Sequence, residues 1–240
     1  MKLKPAVRLL RIFVHLSEGL AVCALVFPWV GGARRQARIR SWSRRLLGIC
    51  GVSLEQQGTA LEHALVVANH VSWLDIFVIN SLHPCRFVAK SEIRAWPVLG
   101  WLVAQAGTVF IARGSRRELR HTFKGIVDSL ALGERVAFFP EGTTALQGGL
   151  LPFHANLFEA AIDADVMVQP YALEYLDAGG ALHPSVEFIG DTTFAQSMLA
   201  ILSGSPVRAR LVCLAPFDAG GAHRRELAAG AQQAIAEALA

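Results

Sequence analysis

From residue 52 onward, short runs of branched and aromatic residues alternate with longer segments whose apolar positions recur every three or four residues. Side chains alternate faces along a strand and repeat every 3.6 residues along a helix, so the two patterns can be told apart. Strands are predicted at 52–56, 65–68, 86–89, 108–111, 136–139, 166–174, 186–189 and 207–214. Helices are predicted at 73–82, 97–105, 115–132, 155–162 and 224–239. Pro97 suits a first helical position, and Ser115 with Glu118 has the spacing of a capping box. Pro170 falls inside the 166–174 run, where its missing N–H implies an edge strand or a bulge. The alternation reads as one α/β domain.

The first fifty residues follow another pattern. Residues 19–30 are a 12-residue apolar run containing Pro28. As a helix this run spans about 18 Å, short of the roughly 30 Å hydrocarbon core of a bilayer. Extending it back to Ile12 takes in His15, Ser17 and Glu18. A cleaved signal peptide fits poorly because arginines follow at once, and a spanning helix would bury Glu18. A helix dipping into one leaflet, followed by a surface helix, fits both parts. Over 33–49, arginines at 34, 35, 38, 40, 44 and 45 interleave with Ile39, Trp42, Leu46, Leu47 and Ile49. Such a basic amphipathic helix suits an anionic membrane surface. A solvated basic face or an RNA-binding arm shares the charge, but the adjoining apolar run favours the membrane over nucleic acid. The expected organisation is a membrane-associating segment at 1–50 and a catalytic domain at 51–240.

Composition sharpens this picture. Of the 240 residues, 53% are hydrophobic, and the mean hydropathy of +0.40 suits a membrane-associated enzyme better than a freely soluble one. Residues 1–50 carry ten basic side chains against the single acid Glu18, a net of +9. The overall charge is +4, so the remainder carries −5. The four cysteines have neither metal-finger nor redox spacing, which points to a reducing, cytoplasmic setting.

Candidate chemistry gathers at strand ends. The 65–68 run stops at Asn69 and His70, just before a helix, the edge at which open α/β sheets bind ligands. Asp75 follows within reach of the imidazole, and a carboxylate on one ring nitrogen frees the other to take a proton. The spacing alone is weak: chance gives roughly 0.2 such His–Asp pairs in this composition, and a first-turn Asp also suits a helix dipole. Arg113 ends the 108–111 strand, which should run near the strand carrying His70. There it is placed to fork onto a phosphate or carboxylate, or to form a surface salt bridge. Residues 138–144, Phe-Phe-Pro-Glu-Gly-Thr-Thr, form a strand end and a tight turn whose N–H groups suit an anion or an alcohol.

Taken together, Asn69-His70-x-Ser72-x-x-Asp75, Gly107-x-x-Phe110-Ile111-x-Arg113, Phe139-Pro140-Glu141-Gly142-Thr143 and Val168-Gln169-Pro170 resemble, in that order, the four motifs of the glycerolipid acyltransferase family. This family includes the 1-acylglycerol-3-phosphate acyltransferases. The resemblance covers about residues 60–180, and the Phe-Pro-Glu-Gly-Thr string arises by chance with probability on the order of 10⁻⁴. It implies a mixed sheet flanked by helices. It also implies acyl transfer from acyl-CoA or an acyl-carrier protein to the free hydroxyl of a lysolipid. The +9 charge beside the apolar run of residues 1–50 places the expected anchor at the cytoplasmic face of the inner membrane.

In that scheme His70 is the general base and Asp75 orients it. Arg113, Glu141, Gly142 and Thr143 hold the acceptor head group, and Lys90 adds charge after its strand. The apolar 97–105 helix is placed to wall the acyl chain or simply to pack the core. No cofactor and no metal is implied. Consistent with direct transfer, the chain has no Gly-x-Ser-x-Gly elbow, no Gly-x-Gly-x-x-Gly and no phosphate-binding loop with Lys. Thr144 and Ala145 stand where the family often has Arg or Ser, then Ser. That departure leaves two acceptors open: 1-acyl-sn-glycerol 3-phosphate, giving phosphatidic acid, and lyso-ornithine lipid. A thioester or lysolipid hydrolase using the same pair, and a non-catalytic membrane module, are the readings from other classes.

Overall fold

The computed structural model describes residues 5–95, 99–111 and 116–240. Two helices come first, α1 (Pro5–Leu25) and α2 (Gly32–Cys50). Arg35 fixes the corner between them by donating to the carbonyls of Phe27, at 2.6 Å, and Val30, at 3.1 Å. Gly51, with φ of +80°, ends α2 in the left-handed conformation that favours glycine, and the chain turns directly into the sheet.

Seven strands follow among the described residues: β1 (Val52–Gln57), β2 (Leu65–Ala68), β3 (Arg86–Lys90), β4 (Val109–Ile111), β5 (Val136–Phe138), β6 (Val168–Leu176) and β7 (Val207–Cys213). They lie in the order β1-β7-β6-β2-β5-β3-β4, and only the β6–β7 pair is antiparallel. The sheet is therefore mixed, as the resemblance implied. Strand β2 is central and buried on both faces, and its alternation feeds two cores. Val66 and Ala68 join Ile12, Leu46, Leu47, Val78 and Ile201 on one face. Leu65 and Val67 join Ile126, Leu130, Phe158, Leu227 and Ala231 on the other. The first face is covered by α1, α2, α3 (Asp75–Leu82) and α7 (Phe194–Ser203). The second is covered by α5 (Arg116–Ala131), α6 (Glu159–Ala164) and α8 (Arg224–Leu239), while α4 (Leu99–Gln105) follows β3.

Three sequence expectations need correction. Residues 186–189 are not a strand. The chain there makes a 3-10 turn at Pro184–Val186, then leans on the loop after β2 through Phe188 N–H to Val71 C=O, 3.1 Å. Helix α7 was not predicted, although Thr193 and Gln196 form a full capping box. Strand β4 does not run beside β2: it is the far edge, three places away and roughly 14 Å across the sheet.

Pro170 sits in an interior strand. Leu65 N–H bonds Met167 C=O while Val168 N–H bonds Phe217 C=O, so even-numbered residues of β6 point their backbone groups toward β7. The missing N–H of Pro170 falls on that side. There the register shifts by one residue between the Val168–Phe217 bridge and the Tyr171–Cys213 pair, so the bulge expectation is met. Of the other proline and cap expectations, Pro97, Ser115 and the Glu118 side chain lie outside the described residues.

Candidate active site

The C-terminal ends of β2 and β5 lie side by side, because these strands are parallel neighbours. Strand β2 delivers Asn69 and His70, and β5 delivers Phe139, Pro140 and Glu141. Asn69 prolongs the ladder beyond β2: its amide donates to Leu173 C=O at 2.9 Å and accepts Leu173 N–H at 2.8 Å.

His70 Nδ1 lies 2.7 Å from Asp75 Oδ2. Asp75 is fully buried at the first residue of α3, where a helix favours negative charge. The same Oδ2 accepts Val71 N–H at 2.8 Å and Ser72 N–H at 3.0 Å, and Oδ1 accepts the Tyr175 hydroxyl at 2.6 Å. A carboxylate acceptor assigns the ring proton to Nδ1 and leaves the Nε2 lone pair available as a base. The imidazole lies flat on Phe139, with ring centroids 3.9 Å apart and planes 7° apart, and keeps 19% of its side chain exposed. Burial, reinforced by the facing Asp75, raises the Tyr175 hydroxyl far above the usual tyrosine range, so it stays a donor.

The turn after β5 grips His70 by its main chain. Glu141 Oε1 accepts His70 N–H at 2.8 Å, and Ala145 N–H donates to His70 C=O at 2.7 Å. The second Glu141 oxygen accepts Leu151 N–H at 2.8 Å. Glu141 is only 4% exposed. Burial pushes its carboxyl up, opposed by those two N–H groups. Glu141 was expected among the acceptor ligands, yet its carboxylate is turned inward and committed to the backbone. Gly142 holds φ of +69° at the bend, and Gly142 and Thr143 are exposed at the same edge. Thr144 is held to the 186–189 segment, its hydroxyl donating to Phe188 C=O. Lys90 ends β3 exposed, on the C-terminal edge it shares with β2 and β5. Arg113 lies outside the described residues. Gln169, buried on β6, braces the loop before β2 by accepting Leu61 N–H and donating to Thr59 and Leu214 carbonyls.

An apolar cavity of about 150 Å³ opens one aromatic layer from the imidazole. Phe87, on its wall, stacks on Phe139 at 5.8 Å between centroids, and Phe139 stacks on His70. Leu102, Val103 and Ala106 from the α4 region line one side, and Gly19 and Trp42 of the helical hairpin line the other. The 97–105 helix is thus a wall of a cavity, though its described part begins at Leu99. A larger open recess of about 580 Å³ beside Glu187 and Asp191 holds none of the dyad residues and is a surface feature.

What the sequence missed is Tyr175. It stands a hundred residues from Asp75, and no local pattern marks it.

The site is thus a histidine–aspartate pair at a sheet edge, gripped by a Pro-Glu-Gly-Thr turn and adjoining an apolar cavity. Comparison with known proteins agrees: the sequence profile of the acyltransferase family matches residues 52–174. The chain belongs to the acyltransferase family. It is 40% identical over 186 residues to a 1-acyl-sn-glycerol-3-phosphate acyltransferase of Neisseria meningitidis, covering 75% of this chain and 72% of that one. It is 37% identical over 231 residues to a lyso-ornithine lipid O-acyltransferase of Pseudomonas aeruginosa, covering 94% and 89%. The fold is shared with the 1-acyl-sn-glycerophosphate acyltransferase PlsC of Thermotoga maritima, with a TM-score of 0.70 over 98% of this chain and 96% of that one, at 19% identity.

Proposed function

We propose that this acyltransferase moves a fatty acyl group from an acyl-CoA or acyl-carrier protein to the free hydroxyl of 1-acyl-sn-glycerol 3-phosphate, giving phosphatidic acid. The observation that carries the chemistry is His70, its Nδ1 held on a saturated Asp75 and its Nε2 without a hydrogen-bond partner among the described residues. Nε2 takes the hydroxyl proton as the acceptor oxygen attacks the thioester carbonyl. The tetrahedral adduct then expels the thiolate, which takes that proton from the imidazolium. No covalent enzyme intermediate is needed, so His70 is the only group that must exchange a proton. Gly142, Thr143, Lys90 and Arg113 are proposed to hold the acceptor head group. Glu141 is proposed to hold His70 rather than the lipid. The acyl chain is proposed to enter the cavity beyond Phe139 and Phe87.

Lyso-ornithine lipid is the second acceptor reading, favoured by the relative that aligns along 94% of the chain, hairpin included. Residues 1–50 are proposed to anchor the enzyme to the cytoplasmic face of the inner membrane, leaving 51–240 as the catalytic part. Leu10, Phe13, Val14 and Trp29 support this, as large apolar side chains left exposed on the hairpin.

The test is an acyl-transfer assay with both lysolipids and both donors, products identified by mass and kcat/KM compared. Phosphatidic acid as the preferred product is the expected result. Preference for lyso-ornithine lipid overturns the acceptor and keeps the dyad. Release of free fatty acid without transfer to any acceptor makes the enzyme a hydrolase.

A further inference from the structure

We infer that Tyr175 is a positioning residue for the dyad, acting on His70 through Asp75; the inference rests on the general-base reading above. Strand β6 outruns its neighbour. Ala68, the last residue of β2, pairs with Tyr171, and β6 continues to Leu176 beneath the loop that carries His70 and Asp75. Tyr171, Leu173 and Tyr175 share one face of β6, the face that meets α3. Two residues of this overrun are used. Leu173 closes the ladder with the Asn69 amide, and Tyr175 places its hydroxyl on Asp75 Oδ1.

The division of labour on Asp75 makes the contact specific. Oδ2 takes three donors, all from the local 70–72 segment. Oδ1 takes Tyr175, the donor that reaches Asp75 from another element. A carboxylate turns about its Cβ–Cγ bond with a broad twofold preference. Local donors on one oxygen set a direction, and an anchored hydroxyl on the other sets the plane. The backbone of Tyr175 is itself held. Its N–H donates to Gln147 Oε1 at 2.8 Å, and its C=O accepts His183 N–H at 2.8 Å. Gln147 follows the Gly-Thr-Thr turn and also bonds His183 C=O at 3.0 Å. The turn that grips the main chain of His70 therefore also fixes the tyrosine that grips its carboxylate.

The experiment is Tyr175→Phe in the full-length enzyme, which keeps the ring and its packing. The expected result is kcat lowered by about 10- to 150-fold, the worth of one hydrogen bond to a charged group, with KM for lysolipid and donor unchanged. In an Asp75→Asn background the same change should cost about twofold or less, because the two act through one contact. Tyr171→Phe serves as the control: its hydroxyl lies by Cys213, away from the dyad, and activity should not change. Unchanged kcat in Tyr175→Phe overturns the inference, as does full additivity with Asp75→Asn. If His70→Ala keeps normal turnover, the general-base reading fails; if it does not and Tyr175→Phe is silent, only this inference fails.

Discussion

His70→Ala tests the chemistry with the least disturbance, because the side chain is partly exposed and its removal empties a cleft rather than the core. Turnover should fall by about 10²–10⁴-fold in an acyl-transfer assay. Lost stacking on Phe139 should cost stability only about 1 kcal/mol, read as a small drop in Tm. Near-normal turnover would remove the general base. Glu141→Gln separates two roles for a neighbouring residue. An amide has one oxygen, so either the His70 or the Leu151 N–H loses its acceptor, at a cost of about 1–3 kcal/mol. We expect lower kcat with KM for the lysolipid within about twofold of the parent. A raised lysolipid KM with kcat intact would return Glu141 to the head group, as the sequence first placed it. The pairing of His70 with Asp75 was legible because the two lie five residues apart, across the turn from β2 into α3. The burial of Glu141 and the hydroxyl of Tyr175 were not, because strand order sets both contacts and no short window of sequence contains it.

Among the elements, those with a period and a cap were readable, and the ones that tertiary contacts define were not. Helix α8 matches its expected range because His223 and Glu226 cap a clear amphipathic repeat. Residues 186–189 have the branched and aromatic composition of a strand, but their backbone is spent on Val71 and Thr144 rather than a neighbouring strand. Helix α7 carried a readable Thr193–Gln196 signal beneath an otherwise apolar run. The end of α3 yields a prediction about pH. His83 caps that helix, where the dipole favours an imidazolium, yet burial first, then Arg135 and Arg40, lower its pKa to about 4. The folded pKa lies below the unfolded value, so the unfolded chain binds the extra proton first as pH falls. His83 therefore contributes stability above pH about 6.5 that is lost progressively toward pH about 4. Between pH 7 and 5 the loss is on the order of 2 kcal/mol. Thermal melts of the parent and His83→Gln should show the steeper acid decline in the parent; parallel curves would refute the assignment.

At the scale of the whole molecule, the proposed membrane contact depends on how the hairpin packs. Helix α1 has 21 residues, about 31 Å, and its most apolar stretch averages a hydropathy of 1.8, so by length and composition alone it would span. Its contacts argue otherwise. Glu18 is held by Arg45 at 2.8 Å, and His15 and Trp42 exchange hydrogen bonds, each through its ring N–H to the other's carbonyl. These bonds fasten α1 to α2, whose Leu46 and Leu47 lie in the core of the domain. The surface left open on the hairpin is the outer one, with Phe13 68% and Trp29 85% exposed. The arginines of 33–49 read alike in the sequence, but their surroundings divide them. Arg35 braces the corner, Arg44 bonds Ser81 C=O, Arg45 pairs with Glu18, and Arg38 lines the cavity. Arg34 and Arg40 are exposed, and they are the ones to test. Changing both to Gln should weaken binding to anionic vesicles by about 1 kcal/mol per charge, roughly 30-fold together, and leave binding to neutral vesicles unchanged. Arg35→Gln should instead lower Tm, because it frees the corner carbonyls. Equal partition of parent and double variant on anionic vesicles would mean that this face of α2 does not meet the lipid surface, and would leave Leu10, Phe13, Val14 and Trp29 to hold the enzyme by apolar burial alone.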